Sequence, residues 1–228
     1  MRICVFSDIH GNSHAFRVAY NMIISEGADL NIFLGDLCGY YFDQHDILDM
    51  LQTIPGLIAL KGNHDSMFLK IVEGDEKLRK NYLNKYGRSM ENLLSKNNYD
   101  LIEWLSSLPE SYLSSDLDMA CYHGSPWDAM ECYIYPDSPL DKFLDYHISS
   151  FVLGHTHYRM SRKIGEKMII NPGSLGQPRD GGWPTYMVID HPLKNISMRE
   201  VPYDKSGLLK QIDEIGHDNP YLKRILKT

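Results

Sequence analysis

The chain has 228 residues, 43% of them hydrophobic and 23% charged, with a formal net charge of -7. This is globular usage in a chain long enough to bury a sizeable core, and it excludes disordered and fibrous classes. The acidic balance argues against a module for long nucleic acids or anionic membranes.

Arg2 to Phe6 reads as a buried strand, followed by the turn S-D-I-H-G-N. That run is too short for the core of a secretion signal. No apolar run approaches the ~20 residues needed to span a bilayer. Ser13 is placed to cap a helix running to about Ser25, with Phe16, Ala19, Tyr20, Ile23 and Ile24 on one face and Gly27 as its stop. Residues 30–34 form a second strand before the loop G-D-L-C-G-Y-Y, residues 43–51 a helix, and residues 57–60 a short strand before K-G-N-H-D. Strand, turn and helix in repetition predict a layered α/β domain with parallel strands and a site at their carboxyl ends.

At about residues 75–108 the composition turns charged, with Leu78, Tyr82, Tyr86, Leu93 and Leu94 near helical spacing. This predicts a helical insert beside the site, whose Lys77, Arg79, Lys80, Lys85 and Arg88 read first as a solvated face. Short strands follow at 119–122, 150–153, 167–170, 186–189 and 197–201, and they suggest a second sheet packed on the first. Residues 205–226 read as one or two amphipathic helices. With no linker or repeat, residues 1–228 count as a single domain. The four cysteines (Cys4, Cys38, Cys121 and Cys132) contain no C-x-x-C pair and suit a reducing compartment, so a soluble, cytoplasmic protein is expected.

Five polar clusters each follow an apolar strand: Asp8-Ile9-His10, Gly35-Asp36, Gly62-Asn63-His64-Asp65, His123-Gly124 and Gly154-His155-Thr156-His157. Their donors are oxygen and imidazole nitrogen without thiolate, which suits manganese, iron, nickel or zinc. In an extended D-x-H or H-x-H, alternate residues point the same way, so each pair can offer two ligands to one centre. Singly the clusters are bland. Asp8 with His10 reads as a helix cap and a surface histidine, Asp36 and Asn63 as turn formers, and His123 as a strand-end histidine. Together, in this order and each at a strand end, they point to a metal site. His14, His45, His147, His191 and His217 fall outside the clusters.

The chain resembles the calcineurin-like metallophosphoesterases, a superfamily marked by D-x-H, G-D, G-N-H-[D/E], H and G-H-x-H in that order. It is most similar to the small bacterial and archaeal phosphodiesterase branch, and the N-P-G-S segment at 171–174 shares the likeness. The resemblance implies a four-layer α/β/β/α sandwich, two mixed β-sheets flanked by helices. It implies two divalent metal ions, manganese first and iron, nickel or zinc as the other candidates. Asp8, His10 and His157 would hold one ion, Asn63, His123 and His155 the other, and Asp36 would bridge them. His64 would not be a ligand. It would act at the scissile phosphate as general acid or charge stabiliser, oriented by Asp65, a role worth roughly 10²–10⁴-fold. The substrate implied is a small phosphodiester or nucleotide, hydrolysed by a hydroxide held between the ions.

Two alternatives stand beside this reading. One is a dinucleoside polyphosphate hydrolase or a nuclease, against whose long substrates the acidic charge weighs. The other is a non-catalytic scaffold, as in a retromer subunit that lacks the histidine matching His64. The chain also departs from the G-D-x-x-D-R-G of the protein phosphatases: G-D-L-C-G-Y-Y carries no phosphate-gripping arginine. Arg179 is the candidate substitute for binding substrate, as against a structural ion pair. Tyr40 and Tyr41 are placed to line the pocket.

Overall fold

In β1 (Arg2–Phe6), Ile3 and Val5 face one side and Cys4 and Phe6 the other, all of them fully buried. A strand apolar on both faces belongs in the middle of a layered domain. β1 pairs in parallel with β2 (Leu30–Phe33), and β2 in parallel with β3 (Leu57–Ala59). A second sheet has the order β4 (Ser111–Ser114), β5 (Met119–Tyr122), β6 (Ser150–Leu153), β8 (Lys167–Pro172), β7 (Arg159–Ile164). Its three central strands are parallel and its two outer pairings antiparallel. The computed structural model describes residues 1–191, 195–216 and 219–226, so His217 lies outside the described residues.

Ile3, Val5 and Ile32 of the first sheet meet Met119, Cys121, Val152 and Ile170 of the second in a dry middle layer. Helices α1 (Ser13–Ser25), α2 (Gln44–Leu51) and α3 (Asn63–Val72) cover the outer face of the first sheet through Phe16, Ile47 and Phe68. The second sheet's outer face is covered more thinly. There a 3-10 turn (Asp141–Asp145) lays Phe143 on Phe151 at 4.9 Å. Two mixed five-stranded sheets flanked by helices result.

Four expectations need correction or extension. β9 (Thr185–Asp190) and β10 (Asn195–Glu200) do not join the second sheet. They add antiparallel to the free edge of β1, whose N–H and C=O groups would otherwise go unpaired. β4 and β7 are strands that no sequence pattern announces, because edge strands of composition S-Y-L-S and R-M-S-R-K-I carry no apolar run. The GNHD cluster opens a helix, α3, whose extent the sequence reading did not give. The cap of α1 is Asn12, whose Oδ1 accepts from the Ala15 amide at 3.1 Å, while Ser13 donates its hydroxyl to Asp43 at 2.6 Å.

After α3 come α4 (Glu76–Tyr86), α5 (Ser89–Leu94) and α6 (Tyr99–Ser107), which pack Tyr82, Leu93 and Leu101 into the same core as Phe68. Helices α7 (Ser206–Glu214) and α8 (Pro220–Ile225) seat Leu208, Ile212 and Leu222 against Tyr41 and Phe42. The terminal helices thus hold down the loop that follows β2. No described helix is long and apolar enough to cross a membrane.

Candidate metal centre

The five clusters meet at the carboxyl ends of β1, β2, β3, β5 and β6. Asp8 donates its amide to Gly35 O, and Ile9 and His10 donate theirs to Asp36 O, each at 3.0 Å. From the far sheet, Ser174 donates its hydroxyl to Asp8 O at 2.8 Å, and Asn171 Nδ2 donates to Gly154 O at 2.6 Å. The N-P-G-S segment is therefore a brace that ties the first and last clusters together.

The backbone here is strained. Positive φ occurs at Asp8 (56°), His10 (51°), Asp36 (64°), Tyr40 (47°), His155 (66°) and His157 (62°), and Asp118 is the one other described non-glycine case. Left-handed backbone costs an L-residue roughly 1–2 kcal/mol, so its concentration marks a geometry imposed from outside the local sequence. This corrects the expectation of extended D-x-H and H-x-H segments. Each pair converges because both members coil left-handed. Gly62 allows a close approach: a Cβ there would collide with Asp36 Oδ1.

Asp8, His10 and His157 bring donor atoms within 4.8 Å of one another, as do Asp36, His123 and His155. Asn63 Oδ1 lies 3.2 Å from His123 Nε2 and so beside the second group. Asp36 Oδ2 is 3.6 Å from His10 Nε2 and 3.3 Å from His123 Nε2, between the two groups.

The protons can be placed by elimination. The Nδ1 atoms of His10, His123 and His157 face the carbonyls of Cys38 (2.7 Å), Leu34 (2.9 Å) and Gln177 (2.7 Å). A carbonyl only accepts, so each Nδ1 carries the proton and each Nε2 presents a bare lone pair in the neutral ring. Yet His10 Nε2 and His157 Nε2 sit 3.0 Å apart. Two lone pairs at that distance repel unless a cation lies between them and the carboxylates. Asp8 Oδ1 is buried without a hydrogen-bond partner, a state that costs about 1–3 kcal/mol or more when nothing compensates it. Burial, with neighbouring positive charge from His64 and, for His155, from His123, holds the rings of His10 and His155 down to about 3, against the pull of Asp36. Burial likewise pushes Asp8 up to about 7. His123 is the exception: burial lowers it, but Asp36 and Asp8 overcome that and raise it to about 9. Neutral imidazoles with aimed lone pairs, beside carboxylates that need positive charge, fit a divalent cation pair.

His64 stands at the first turn of α3, its ring 5.0 Å from that of His10. Its amide donates to Asp36 Oδ1 at 2.8 Å. Asp65 does not orient it. The Asp65 carboxylate turns away to accept the amides of Asp36 (2.9 Å), Cys38 (2.8 Å) and Gly62 (3.0 Å), clamping the β2 and β3 loops together. The partner of His64 is a residue that no motif marks: Tyr82 Oη of α4, 3.0 Å from Nδ1. A Cβ on Gly39 would stand 2.6 Å from His64 Nδ1 and 3.1 Å from that hydroxyl, so the glycine leaves the space the phenol uses. The one signal in the sequence is Tyr82 itself, an aromatic on a polar helix.

Arg179 donates to Tyr40 Oη at 2.9 Å, and no carboxylate among the described residues pairs with it. Tyr40 stands edge-on to His10 at 4.7 Å. Tyr41 does not line this space; it is fully buried under the C-terminal helices.

The calcineurin-like phosphoesterase superfamily domain model matches residues 1–192. An uncharacterized protein of Methanocaldococcus jannaschii is 28% identical over 227 residues, covering 89% of this chain and 88% of its own. The crystal structure of a metallophosphoesterase from Sphaerobacter thermophilus superposes with TM-score 0.81 at 23% identity, covering 100% and 98% of the two chains. A hypothetical protein from Pyrococcus horikoshii OT3 superposes with TM-score 0.78 at 20% identity, covering 99% and 97%. With a family model spanning most of its length, and with the ordered clusters gathered at one end of two mixed sheets, the chain belongs to the calcineurin-like phosphoesterase superfamily.

Proposed function

We propose that the chain is a dinuclear metal-dependent phosphodiesterase acting on a small phosphodiester or nucleotide. Asp8, His10 and His157 hold one divalent ion, Asn63, His123 and His155 the second, and Asp36 is shared. One observation carries this reading: the Nε2 lone pairs of His10 and His157 converge to 3.0 Å beside a buried Asp8 carboxylate oxygen that has no hydrogen-bond partner. When bound there, two divalent ions supply Lewis acidity to the phosphoryl oxygens and a nucleophile near neutral pH.

The chain's own groups do the rest. Asp36, gripped through Oδ1 by the His64 amide, keeps Oδ2 aimed between the two donor groups. The Tyr82 hydroxyl, 3.0 Å from His64 Nδ1, accepts from Nδ1–H of the imidazolium and leaves its Nε2 proton for the leaving alkoxide, which takes it and returns the ring to the neutral form. Burial pushes the Tyr82 hydroxyl well above its ordinary range, so it orients the ring as a dipole and stays protonated. The N-terminus of α3 favours negative charge at the same place. Arg179, held by a neutral phenol, keeps its charge free for a non-bridging phosphate oxygen. Manganese is the ion to load first, and the donor set also admits iron, nickel or zinc. The free thiols Cys4, Cys38, Cys121 and Cys132 support a cytoplasmic setting.

Protein stripped with a chelator and reloaded should take up close to two ions per chain and hydrolyse bis-p-nitrophenyl phosphate. Uptake without turnover for manganese, iron, nickel and zinc alike would overturn the enzymatic reading. Saturation at one ion per chain would overturn the dinuclear one.

A further inference from the structure

Against the donor cluster opens a cavity of about 310 Å3, lined by Tyr40, Lys85, Tyr86, Tyr133, Arg179 and Tyr221. These six come from five separate stretches: the loops after β2, β5 and β8, the last turn of α4, and α8. The cavity touches both donor groups. The Tyr40 ring lies 4.7 Å from that of His10, and the Tyr133 ring 3.9 Å from that of His155.

The wall is four phenol rings and two cations, with no carboxylate. The rings do not stack on one another to close the space. Tyr40 meets Tyr86 edge-on at 82° and Tyr221 at 43°. Tyr133 is 46% exposed at the rim, where Tyr135 stacks on it at 5.7 Å and 8°. Tyr40 is buried at the back while Tyr133 opens to solvent, and an ordinary solvated surface would mix both signs of charge. Rigid aromatic walls cost little side-chain entropy to hold and offer flat faces. The two cations lie over these rings: Lys85 Nζ sits 4.7 Å from the Tyr86 ring and Arg179 6.0 Å from the Tyr40 ring. The volume lies at the small end of ligand sites, room for one base and its sugar and too little for a strand of nucleic acid.

We propose that this cavity is the subsite for a flat aromatic group carried on the non-leaving side of the phosphodiester, as a nucleobase is, with Tyr133 and Tyr221 as its walls. The proposal rests on the metal-centre reading and adds which ester that centre prefers. It also gives the C-terminal helices a role the sequence left opaque, since α8 supplies Tyr221.

The test uses three diesters with the same p-nitrophenolate leaving group and either methyl, phenyl or thymidin-5'-yl on the other oxygen. The manganese-loaded full chain should favour the aromatic esters over the methyl ester in kcat/KM, chiefly through KM. Tyr133→Ala, at the exposed rim, and Tyr221→Ala should each lower that preference roughly tenfold, the size of the stacking of one base on one aromatic ring. A higher value for thymidinyl than for phenyl marks the sugar as part of the fit; equal values mark the ring alone. Calorimetry on the chelator-treated protein gives a readout free of turnover: adenosine 5'-monophosphate should bind more tightly than ribose 5-phosphate. Equal kcat/KM for all three esters, or a preference untouched in both variants, overturns the subsite while leaving the phosphodiesterase intact. Failure to hydrolyse any ester overturns the parent reading instead, and the calorimetric comparison then decides the subsite by itself.

Discussion

Replacing Tyr82 by Phe removes one oxygen and keeps the buried ring that packs with Phe68 and Leu93. The substitution deletes the 3.0 Å hydrogen bond to His64 Nδ1. A buried ring nitrogen left without its partner costs about 1–3 kcal/mol. At about 1.4 kcal/mol per decade, that is roughly 5- to 150-fold in rate if the cost falls on the transition state. The ceiling is the value of the acid itself, roughly 10²–10⁴-fold. The loss should depend on the leaving group. Bis-p-nitrophenyl phosphate expels an anion stable enough to leave unprotonated, so kcat should fall little. Diphenyl phosphate expels a more basic phenolate and should show the full loss. Metal content and melting temperature should match wild type. An equal loss on both esters, or none on either, would refute the assignment of Tyr82 as the group that positions His64.

His64→Ala should keep both ions and lose about 100-fold or more on diphenyl phosphate; an ion-depleted variant would show that His64 is a ligand after all. Asp8→Ala removes a carboxylate from the first donor group and should lower bound metal, measured by elemental analysis, with activity falling in step. Asp65→Ala strands three buried amides, at about 1–3 kcal/mol each before relaxation; urea melts should show several kcal/mol lost, whereas an aspartate serving only to orient His64 would leave stability unchanged. In the metal-free protein, burial lowers His10 and His155 to about 3, His64 to about 4, and His157 well below its usual range. The unfolded chain takes up protons at these rings below about pH 6.5 while the folded chain does not, so stability falls with falling pH. Asp8 and Asp65, raised by burial to about 7 and 6, act in the opposite sense across the same range, as does His123, raised to about 9 by Asp36 and Asp8, at its upper end, but these three are fewer. Melts of chelated protein should therefore drop between pH 7 and 4, and a constant or rising midpoint would contradict the burial argument.

Sequence alone marked the donor residues that gather at one place and the ends of most central strands. Asp8, His123 and the 155–157 pair each follow a buried apolar run, and such runs are legible because burial on both faces demands unbroken hydrophobicity. Edge strands β4 and β7 face solvent and left no such mark. The sheet to which β9 and β10 belong depends on an open edge of β1 some 180 residues away, which no local pattern encodes. The same limit hid the division of labour around His64. Asp65 is its neighbour in sequence yet points into the loops, while Tyr82, 18 residues on, reaches it across a helical insert. Adjacent side chains on a helix diverge by about 100°, so proximity along the chain gave the wrong partner. Which phenols line the cavity was likewise decided only by folding. Tyr40 and Tyr41 are consecutive, and the left-handed turn at Tyr40 with the packing of the terminal helices sends one into the cavity and the other into the core. Ligand types are a local property of residues; convergence is a property of the whole chain.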